Sequence, residues 1–150
     1  MSSSEHQVPR LFTVHEANGL LPELRPLVQR ILGHLESLRE ESEAVVRAER
    51  LSPSSPELMK SLQRNEAIAR LIHEVKCLVD EINAYGCVCK GIEEGLVDFP
   101  CLLGGEIVFL CWRFGEESVV HWHKIEDGFA GRKPLLDGEE KGGDGNVSYH

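Results

Sequence analysis

Hydrophobic residues recur at steps of three and four along two stretches of the chain, which is the spacing of an amphipathic helix. The first stretch covers residues 22–50 and the second covers residues 56–85. The segment LSPSSPE between them is rich in residues that break helices. Two helices of nearly equal length joined by a short linker predict an antiparallel helical hairpin. Asn65 lies on the second seam, where we interpret it as a polar residue that sets the register.

A short helix is expected before this hairpin. The sequence TVHE at residues 13–16 fits a capping box, in which threonine and glutamate side chains cap each other's backbone N–H groups. Because proline is tolerated best in the first turn of a helix, we expect the short helix at about Val14 to Leu20, and a kink or a new helix at Pro22. The tip of the hairpin is the end where the linker joins the two helices, and the base is the opposite end. The apolar stripe is broad at the base and thin at the tip, so we expect the tip to project as a polar coiled coil.

The second half of the chain carries strand-like segments, CVCKGI, GEIVFLCWRF and SVVHWHKI, rich in β-branched and aromatic residues. EEGLVDFP is expected to be a loop, because Pro100 cannot donate a ladder hydrogen bond. These elements predict an α+β fold: a long antiparallel helical hairpin, plus the short N-terminal helix, packed on a small antiparallel β-sheet. The predicted organisation is a flexible leader at 1–10, a single domain at 11–136 with the hairpin at 14–85 and the sheet at 87–125, and a flexible tail at 137–150.

The alternation of side chains along residues 107–124 predicts how two strands pair. A three-residue loop, Gly115–Glu117, places the apolar residues of both strands, including Trp112 and Trp122, on the side of the core. The predicted partners are then Arg113–Val119, Trp112–Val120, Cys111–His121, Leu110–Trp122 and Phe109–His123. The opposite face carries the polar side chains of Cys111, Arg113, His121 and His123.

This polar face has two interpretations. Thiolate and imidazole are good ligands of zinc and other divalent transition metals, and opposed strand residues can share one ion, so Cys111, His121 and His123 are candidate metal ligands. The alternative is an ordinary second face, half exposed to solvent. His34 and His73 are nearly level across the predicted hairpin, and they either bind a metal together or flank the seam as surface residues.

Three further residues are candidates for ligand binding: Asp98, Arg113 and Arg132. Asp98 can act as an acid, a base or a ligand, or it can be a turn residue that bonds to its own backbone. Arg132 lies in the glycine-flanked segment GFAGRKPL and can hold an anionic ligand, or it can be an ordinary surface arginine. No catalytic residue is assigned, because no standard nucleotide-binding, hydrolase or zinc-protease motif occurs in the sequence.

Composition narrows the class of protein. The chain has 150 residues, a net charge of −9 and five cysteines. The acidic charge argues against nucleic-acid and anionic-membrane partners, and no apolar run approaches the roughly 20 residues needed to cross a bilayer. The first residues, MSSSEHQVPR, lack the pattern of a secretory signal. An odd number of cysteines without a C-x-x-C pair favours a reducing compartment, so we expect a cytoplasmic protein.

Four motifs carry a resemblance to a known family: FTVHEAN at 12–18, GLVDFP at 95–100, LCWR at 110–113, and WH followed by GFAGRKPL from 122. Over residues 11–135 the sequence resembles a bacterial family catalogued as domain of unknown function 2203. The family has no established biochemistry, so the resemblance implies no activity.

The resemblance bears on several candidates. The family motifs include Asp98, Cys111, Arg113, His123 and Arg132. The family pattern varies at position 121. It has aliphatic residues where this chain has Cys87 and Cys89, which favours burial of these cysteines over a C-x-C metal site.

We predict a non-catalytic interaction or scaffold protein that self-associates through its helical hairpin as a dimer or larger bundle, because apolar seam residues at the tip are otherwise unburied. The alternative is a small-ligand-binding protein or metal-dependent enzyme, with its site on the polar face of residues 107–124 and zinc as the candidate cofactor. The lack of a standard catalytic motif favours the first function.

Overall fold

The computed structural model describes residues 10–135. The predicted tail at 137–150 and all but the last residue of the predicted leader lie outside the described residues. Helices come first and strands follow, which gives the predicted α+β fold. The elements are α1 (Val14–Glu49), α2 (Pro56–Arg64), α3 (Glu66–Ala84), β1 (Val88–Cys89), β2 (Leu96–Leu103), β3 (Glu106–Arg113), β4 (His121–His123) and β5 (Lys133–Pro134).

Helix α1 begins at the predicted capping box. Thr13 Oγ1 accepts a hydrogen bond from the Glu16 N–H at 3.0 Å, and Glu16 Oε1 accepts one from the Thr13 N–H at 3.0 Å. The helix continues through Pro22 and Pro26, so the prediction of a separate short helix at Val14 to Leu20 is wrong. Both prolines lie on the exposed side of α1, where water can hydrate the carbonyl groups that proline leaves without a donor. The two prolines therefore do not interrupt the stripe of buried residues along α1.

The return segment consists of two helices, so the prediction of one uninterrupted helix at 56–85 is also wrong. Asn65 has an extended backbone and stands between α2 and α3. Its Oδ1 accepts a hydrogen bond from the Ile68 N–H at 3.0 Å, which caps the start of α3. Asparagine is among the best N-cap residues because its side chain replaces a missing backbone acceptor. Asn65 therefore divides the segment instead of setting its register.

Helix α1 packs along α3 and α2 in the opposite direction. His34 Nε2 lies 3.1 Å from Glu74 Oε1, and Glu49 near the end of α1 accepts a hydrogen bond from Ser61 of α2. At the base, the buried residues of these helices include Leu21, Leu24, Val28 and Ile31 of α1, and Val75, Leu78 and Ile82 of α3. Beyond Ile31 every residue of α1 is half-buried or exposed, so the packing is dense at the base and thin at the tip.

The five strands form one antiparallel sheet in the order β1-β2-β3-β4-β5. Three predicted pairs are confirmed: Cys111–His121, Leu110–Trp122 and Phe109–His123. The other two, Arg113–Val119 and Trp112–Val120, are not part of the ladder because β4 begins only at His121. The connection is therefore longer than the predicted Gly115–Glu117 loop.

Helix α1 and Trp112 hold this longer connection in place. The Val119 N–H donates to Asn18 Oδ1 of α1 at 2.7 Å, so it is bonded to the helix and not to β3. The Trp112 indole N–H donates to the Glu116 carbonyl at 2.9 Å. These tertiary bonds replace the two predicted ladder pairs.

The segment EEGLVDFP is not a loop, because its second half belongs to β2, a central strand of the sheet. Pro100 is accommodated because β1 pairs only with Val97 and Asp98, so β2 is an edge at Pro100 on that side. The Pro100 carbonyl accepts a hydrogen bond from the Phe12 N–H at 2.7 Å there, and the nitrogen of the same residue points the same way. The missing donor is thus directed away from β3.

The sheet has two faces, which we call the helix-facing face and the second face. The helix-facing face carries Val97, Phe99, Leu110 and Trp112, each fully buried in the core shared with the helices, and Trp122 packs half-buried beside them. The second face carries the alternate residues of the same strands. Among residues 10–135, no helix is both long enough and apolar enough to cross a membrane.

Candidate functional site

Three polar side chains from three strands meet on the second face. Asp98 of β2 pairs directly with Cys111 of β3. His123 of β4 pairs with Phe109, two residues before Cys111 on β3, so it lies diagonally opposite Cys111. One ligand atom from each lies within 4.8 Å of the others. The exposed fraction is 3% for Asp98, 1% for Cys111 and 2% for His123. We call these residues the buried trio.

The hydrogen bonds of His123 fix where its protons lie. Its Nδ1 is 2.7 Å from the Lys124 carbonyl, which can only accept, so Nδ1 carries a hydrogen. Its Nε2 is 3.1 Å from Asp98 Oδ2. That contact requires one proton between the two atoms, either on the carboxyl group or on the imidazole.

Burial decides the ionisation of the other two members. It raises the pKa of Asp98, and the charge of His123 and the hydrogen bond from Cys111 only partly oppose this effect. Burial and the neighbouring Asp98 carboxylate raise the pKa of Cys111 to about 12. Without a metal, Cys111 is therefore a neutral thiol at neutral pH. A neutral thiol is a poor nucleophile.

The segment after β4 folds back and covers the second face. Arg132 donates from Nη2 to the Cys111 carbonyl at 3.3 Å and to Glu116 Oε1 at 2.7 Å. The Phe129 ring lies 4.7 Å from the Arg132 guanidinium and 5.7 Å from the Arg113 guanidinium. The interpretation of this face as half exposed to solvent is therefore wrong at the trio.

Glu116 anchors the covering segment to the turn after β3. Its Oε1 also accepts a hydrogen bond from the Arg113 N–H at 2.9 Å. Burial alone would raise the pKa of Glu116, but the hydrogen bonds from Arg132 and from the Arg113 backbone hold it below its ordinary value. Glu116 is thus a carboxylate at neutral pH and balances the charge of Arg132.

The structure rearranges the predicted set of metal ligands. Cys111 and His123 come together with Asp98, which was predicted as a ligand-binding residue. His121 is the strand partner of Cys111, but its Nδ1 lies 3.9 Å from Glu116 Oε2 and it is outside the trio. Arg113 is exposed and contacts only the rim of the site.

Two features of the site were missed from the sequence. The part played by Glu116 and the bond from His123 to the Lys124 carbonyl depend on how the chain turns. Asp98 could have been placed on the face of Cys111 from the alternation in GLVDFP, where it lies between the apolar residues Val97 and Phe99, but the proline obscured that strand. The alternation of apolar and polar residues along residues 96–100 was the signal that could have been used.

The other candidates lie elsewhere. His34 pairs with Glu74 and not with His73, whose Nε2 is 3.5 Å from Cys77 Sγ. Cys87 is buried, its thiol donates to the Ile82 carbonyl, and burial raises its pKa to about 11. The burial favoured by the family pattern is therefore found for Cys87, whereas Cys89 is only half-buried.

Carboxylate, thiolate and imidazole are the three ligand types that zinc takes in proteins. Within residues 10–135, Asp98, Cys111 and His123 are the one group of three such residues close enough to share an ion.

The fold and this site define an α+β protein whose five-stranded antiparallel sheet packs helices on one face and buries a carboxylate, a thiol and an imidazole on the other. The chain belongs to the family described as "Uncharacterized conserved protein (DUF2203)", whose profile matches residues 10–135. This match confirms the resemblance carried by the sequence motifs. Comparison with curated proteins gives no match, and comparison with solved structures gives none either.

Proposed function

We propose that this protein is a non-catalytic interaction protein of the cytoplasm that self-associates through its helices. The observation that carries the proposal is an open groove of about 670 Å³ along the outer half of α1. Its lining is partly apolar and partly charged: Leu32, Leu35, Leu38, Glu36, Arg39, Ser42 and Glu93.

The three leucines of the groove recur at intervals of three, so they occupy neighbouring positions along one side of α1. Each is half-buried, which leaves part of an apolar side chain in contact with water. Covering such surface contributes roughly 25 cal/mol for each Å² removed from water. A second copy that presents the same groove would cover both surfaces in one two-fold symmetric contact.

The charges beside the groove favour a second copy over a partner of one charge sign. Arg39 pairs with Glu36 and Glu43 on its own helix, and all three side chains are more than half exposed. Because Arg39 lies between Glu36 and Glu43 on this surface, two antiparallel copies can place each Arg39 opposite a glutamate of the other copy. Exposed pairs of this kind add little affinity, but they select the orientation of a partner.

The enzyme alternative has less support. Asp98, Cys111 and His123 are at most 3% exposed, so a substrate cannot reach them unless the covering segment moves. The neutral Cys111 thiol is not an activated nucleophile. These two properties favour a structural part for the trio.

The state of the cysteines supports a cytoplasmic location. All five cysteines lie among the described residues and are free thiols. Free thiols are typical of reducing compartments, whereas small secreted domains use cysteines in disulfides.

Sedimentation equilibrium on the full chain tests self-association. We expect a species of twice the 16.8 kDa chain mass at micromolar concentration. Leu38→Glu should give the monomer, because it places a charge in the middle of the groove. Met59→Glu is the matched control, since Met59 is an exposed hydrophobic residue of α2 outside the groove. A monomeric wild-type protein, or equal loss of the dimer in both variants, would contradict the proposal.

A further inference from the structure

We propose that Asp98, Cys111 and His123 bind one divalent transition-metal ion of the zinc type, as a structural centre on the second face of the sheet. The ligand atoms would be a carboxylate oxygen of Asp98, the Cys111 sulfur and Nε2 of His123. This inference is independent of self-association, because the trio and the α1 groove share no residue.

The spacing of the trio fits one ion. Zinc–ligand bonds of about 2.0–2.3 Å place the ligand atoms of a tetrahedral site roughly 3.3–3.8 Å apart. Asp98 Oδ2 and His123 Nε2 are 3.1 Å apart, and all three ligand atoms lie within 4.8 Å of one another. Small rotations of the side chains are enough to reach the coordination distances, so the backbone of β2, β3 and β4 already supplies the geometry.

The orientation of His123 is the one that a metal ligand needs. Its Nδ1–H is held by the Lys124 carbonyl at 2.7 Å, which directs Nε2 toward Asp98 and Cys111. Metal-bound histidines commonly donate their other ring N–H to a carbonyl or a carboxylate in this way, which fixes both the tautomer and the ring angle. The chain therefore provides three metal ligands and also the hydrogen bond that orients one of them, His123.

The charges balance when a divalent ion is bound. Asp98 and Cys111 would contribute one negative charge each, and His123 would bind as the neutral imidazole. The two protons that the metal displaces, one from the thiol and one shared by Asp98 and His123, go to solvent. Beside the ion, Arg132 and Glu116 form a pair of opposite charges at 2.7 Å. A bound ion thus leaves no net charge in the buried region, where an unpaired charge is costly.

The mixture of ligand types selects the class of metal. Mg²⁺ and Ca²⁺ take oxygen ligands, whereas one sulfur, one nitrogen and one oxygen suit zinc and its neighbours in the first transition series. Three protein ligands leave a fourth position for water. Burial by the segment that holds Phe129 and Arg132 gives that position little access to a substrate, so the centre fits a structural ion.

Cobalt spectroscopy on the reduced, untagged full chain tests the proposal. We expect one equivalent of Co²⁺ to produce a thiolate-to-cobalt absorption band that zinc then removes by displacement. The Cys111→Ser variant should lose the band. Two matched variants should keep it: Cys77→Ser, which alters the exposed cysteine beside His73, and Cys101→Ser, which alters a buried cysteine on the helix-facing face.

Two results of the cobalt experiment would overturn the proposal. One is the absence of the band in folded wild-type protein. The other is a band that survives in Cys111→Ser and disappears in Cys77→Ser, which would place an adventitious ion at His73 and Cys77. Extended X-ray absorption fine structure of the zinc-loaded wild-type protein needs no variant to fold. It should report one sulfur at about 2.3 Å with nitrogen and oxygen neighbours, and a sulfur count of zero or two would contradict the site.

Discussion

On the helix-facing face of the sheet, Val97, Phe99 and Trp112 have no exposed surface. On the second face, Asp98 and His123 are almost as deeply buried. The first set is stabilised by the removal of apolar surface from water, which has no preferred direction. The second set depends on particular donors, acceptors and protons, because a buried polar group without a partner is destabilising.

The two faces together specify the register of the sheet. Neighbouring strand residues point to opposite faces, so a slip of one residue would exchange them. Asp98 would then enter the apolar core and Phe99 would enter the polar cluster. Either placement is unfavourable, so the polar face contributes specificity beyond what the apolar face supplies. The following predictions test this difference, from the largest expected effect to the smallest.

Removing the largest side chain of the helix-facing face should have the greatest effect. Trp112→Ala is expected to lower the free energy of unfolding by about 4 kcal/mol, because it leaves a cavity in the core and removes the indole bond to the Glu116 carbonyl. Urea unfolding measures the loss. Trp122→Ala is the control, since Trp122 is only half-buried and should lose less than half as much. Equal losses would contradict the difference in packing.

Removing one polar partner on the second face should cost about 3 kcal/mol in metal-free protein. Asp98→Ala leaves His123 Nε2 and the Cys111 thiol without their hydrogen-bond partner. Urea unfolding in the presence of a chelator measures this loss. In a double-mutant cycle with His123→Ala, the second substitution should add much less than it does alone, since the interaction is already absent. Additive losses would show that Asp98 and His123 do not act as a pair.

Alkaline pH should destabilise both faces through their cysteines. Burial raises the pKa of Cys101, on the helix-facing face, to about 11 and that of Cys111 to about 12. An unfolded thiol ionises near pH 8.5, so above that pH the unfolded state binds fewer protons than the folded state. The stability contributed by each protonated thiol is therefore complete below about pH 8.5 and is lost as the pH rises toward these pKa values.

The size of the alkaline effect can be assigned to one cysteine at a time. Between pH 8 and pH 10 we expect a loss of about 2 kcal/mol for each buried thiol. Cys101→Ala and Cys111→Ala should each reduce this pH-dependent loss by that amount, whereas Cys77→Ala, at an exposed position, should not. Stability that does not fall between these pH values in metal-free wild-type protein would contradict the burial of the thiols.

Loosening the covering segment should have the smallest effect on stability. Arg132→Gln removes a partly exposed ion pair with Glu116, and we expect a loss of about 1 kcal/mol. The more informative readout is the rate at which iodoacetamide alkylates Cys111 in metal-free protein, which should rise. Arg113→Gln is the control, because Arg113 contacts the same Phe129 ring with an exposed side chain. An alkylation rate unchanged by Arg132→Gln would show that this residue does not hold the cover closed.

The sequence was sufficient for the three confirmed pairs of β3 and β4, because the apolar alternation turns both tryptophans toward the core and the assumed loop length gave the matching partners. The sequence did not predict how the second face is covered. The segment GFAGRKPL has no periodicity, and it covers the trio through a few individual bonds, such as that of Arg132 to the Cys111 carbonyl. Bonds of this kind depend on the folded arrangement of distant residues, so a pattern of residues cannot reveal them.

Three breaker residues were misinterpreted for a related reason. Pro22 lies on the exposed side of a helix, and Pro100 lies where a strand has no neighbour, so neither interrupts its element. Asn65, which was expected inside a helix, ends one and begins another. For the two prolines the local rule was correct, but its consequence depended on which side of the element faces water or lacks a neighbouring strand.

Because the helix is interrupted at Asn65 and α3 starts from its own cap, a change of helical phase in α2 is not carried into α3, whose buried residues pack on α1. Insertions or deletions between Arg50 and Asn65 would lengthen or shorten the tip without turning Val75 and Ile82 away from α1. The far end of the molecule can therefore change its reach while the core below keeps the same contacts.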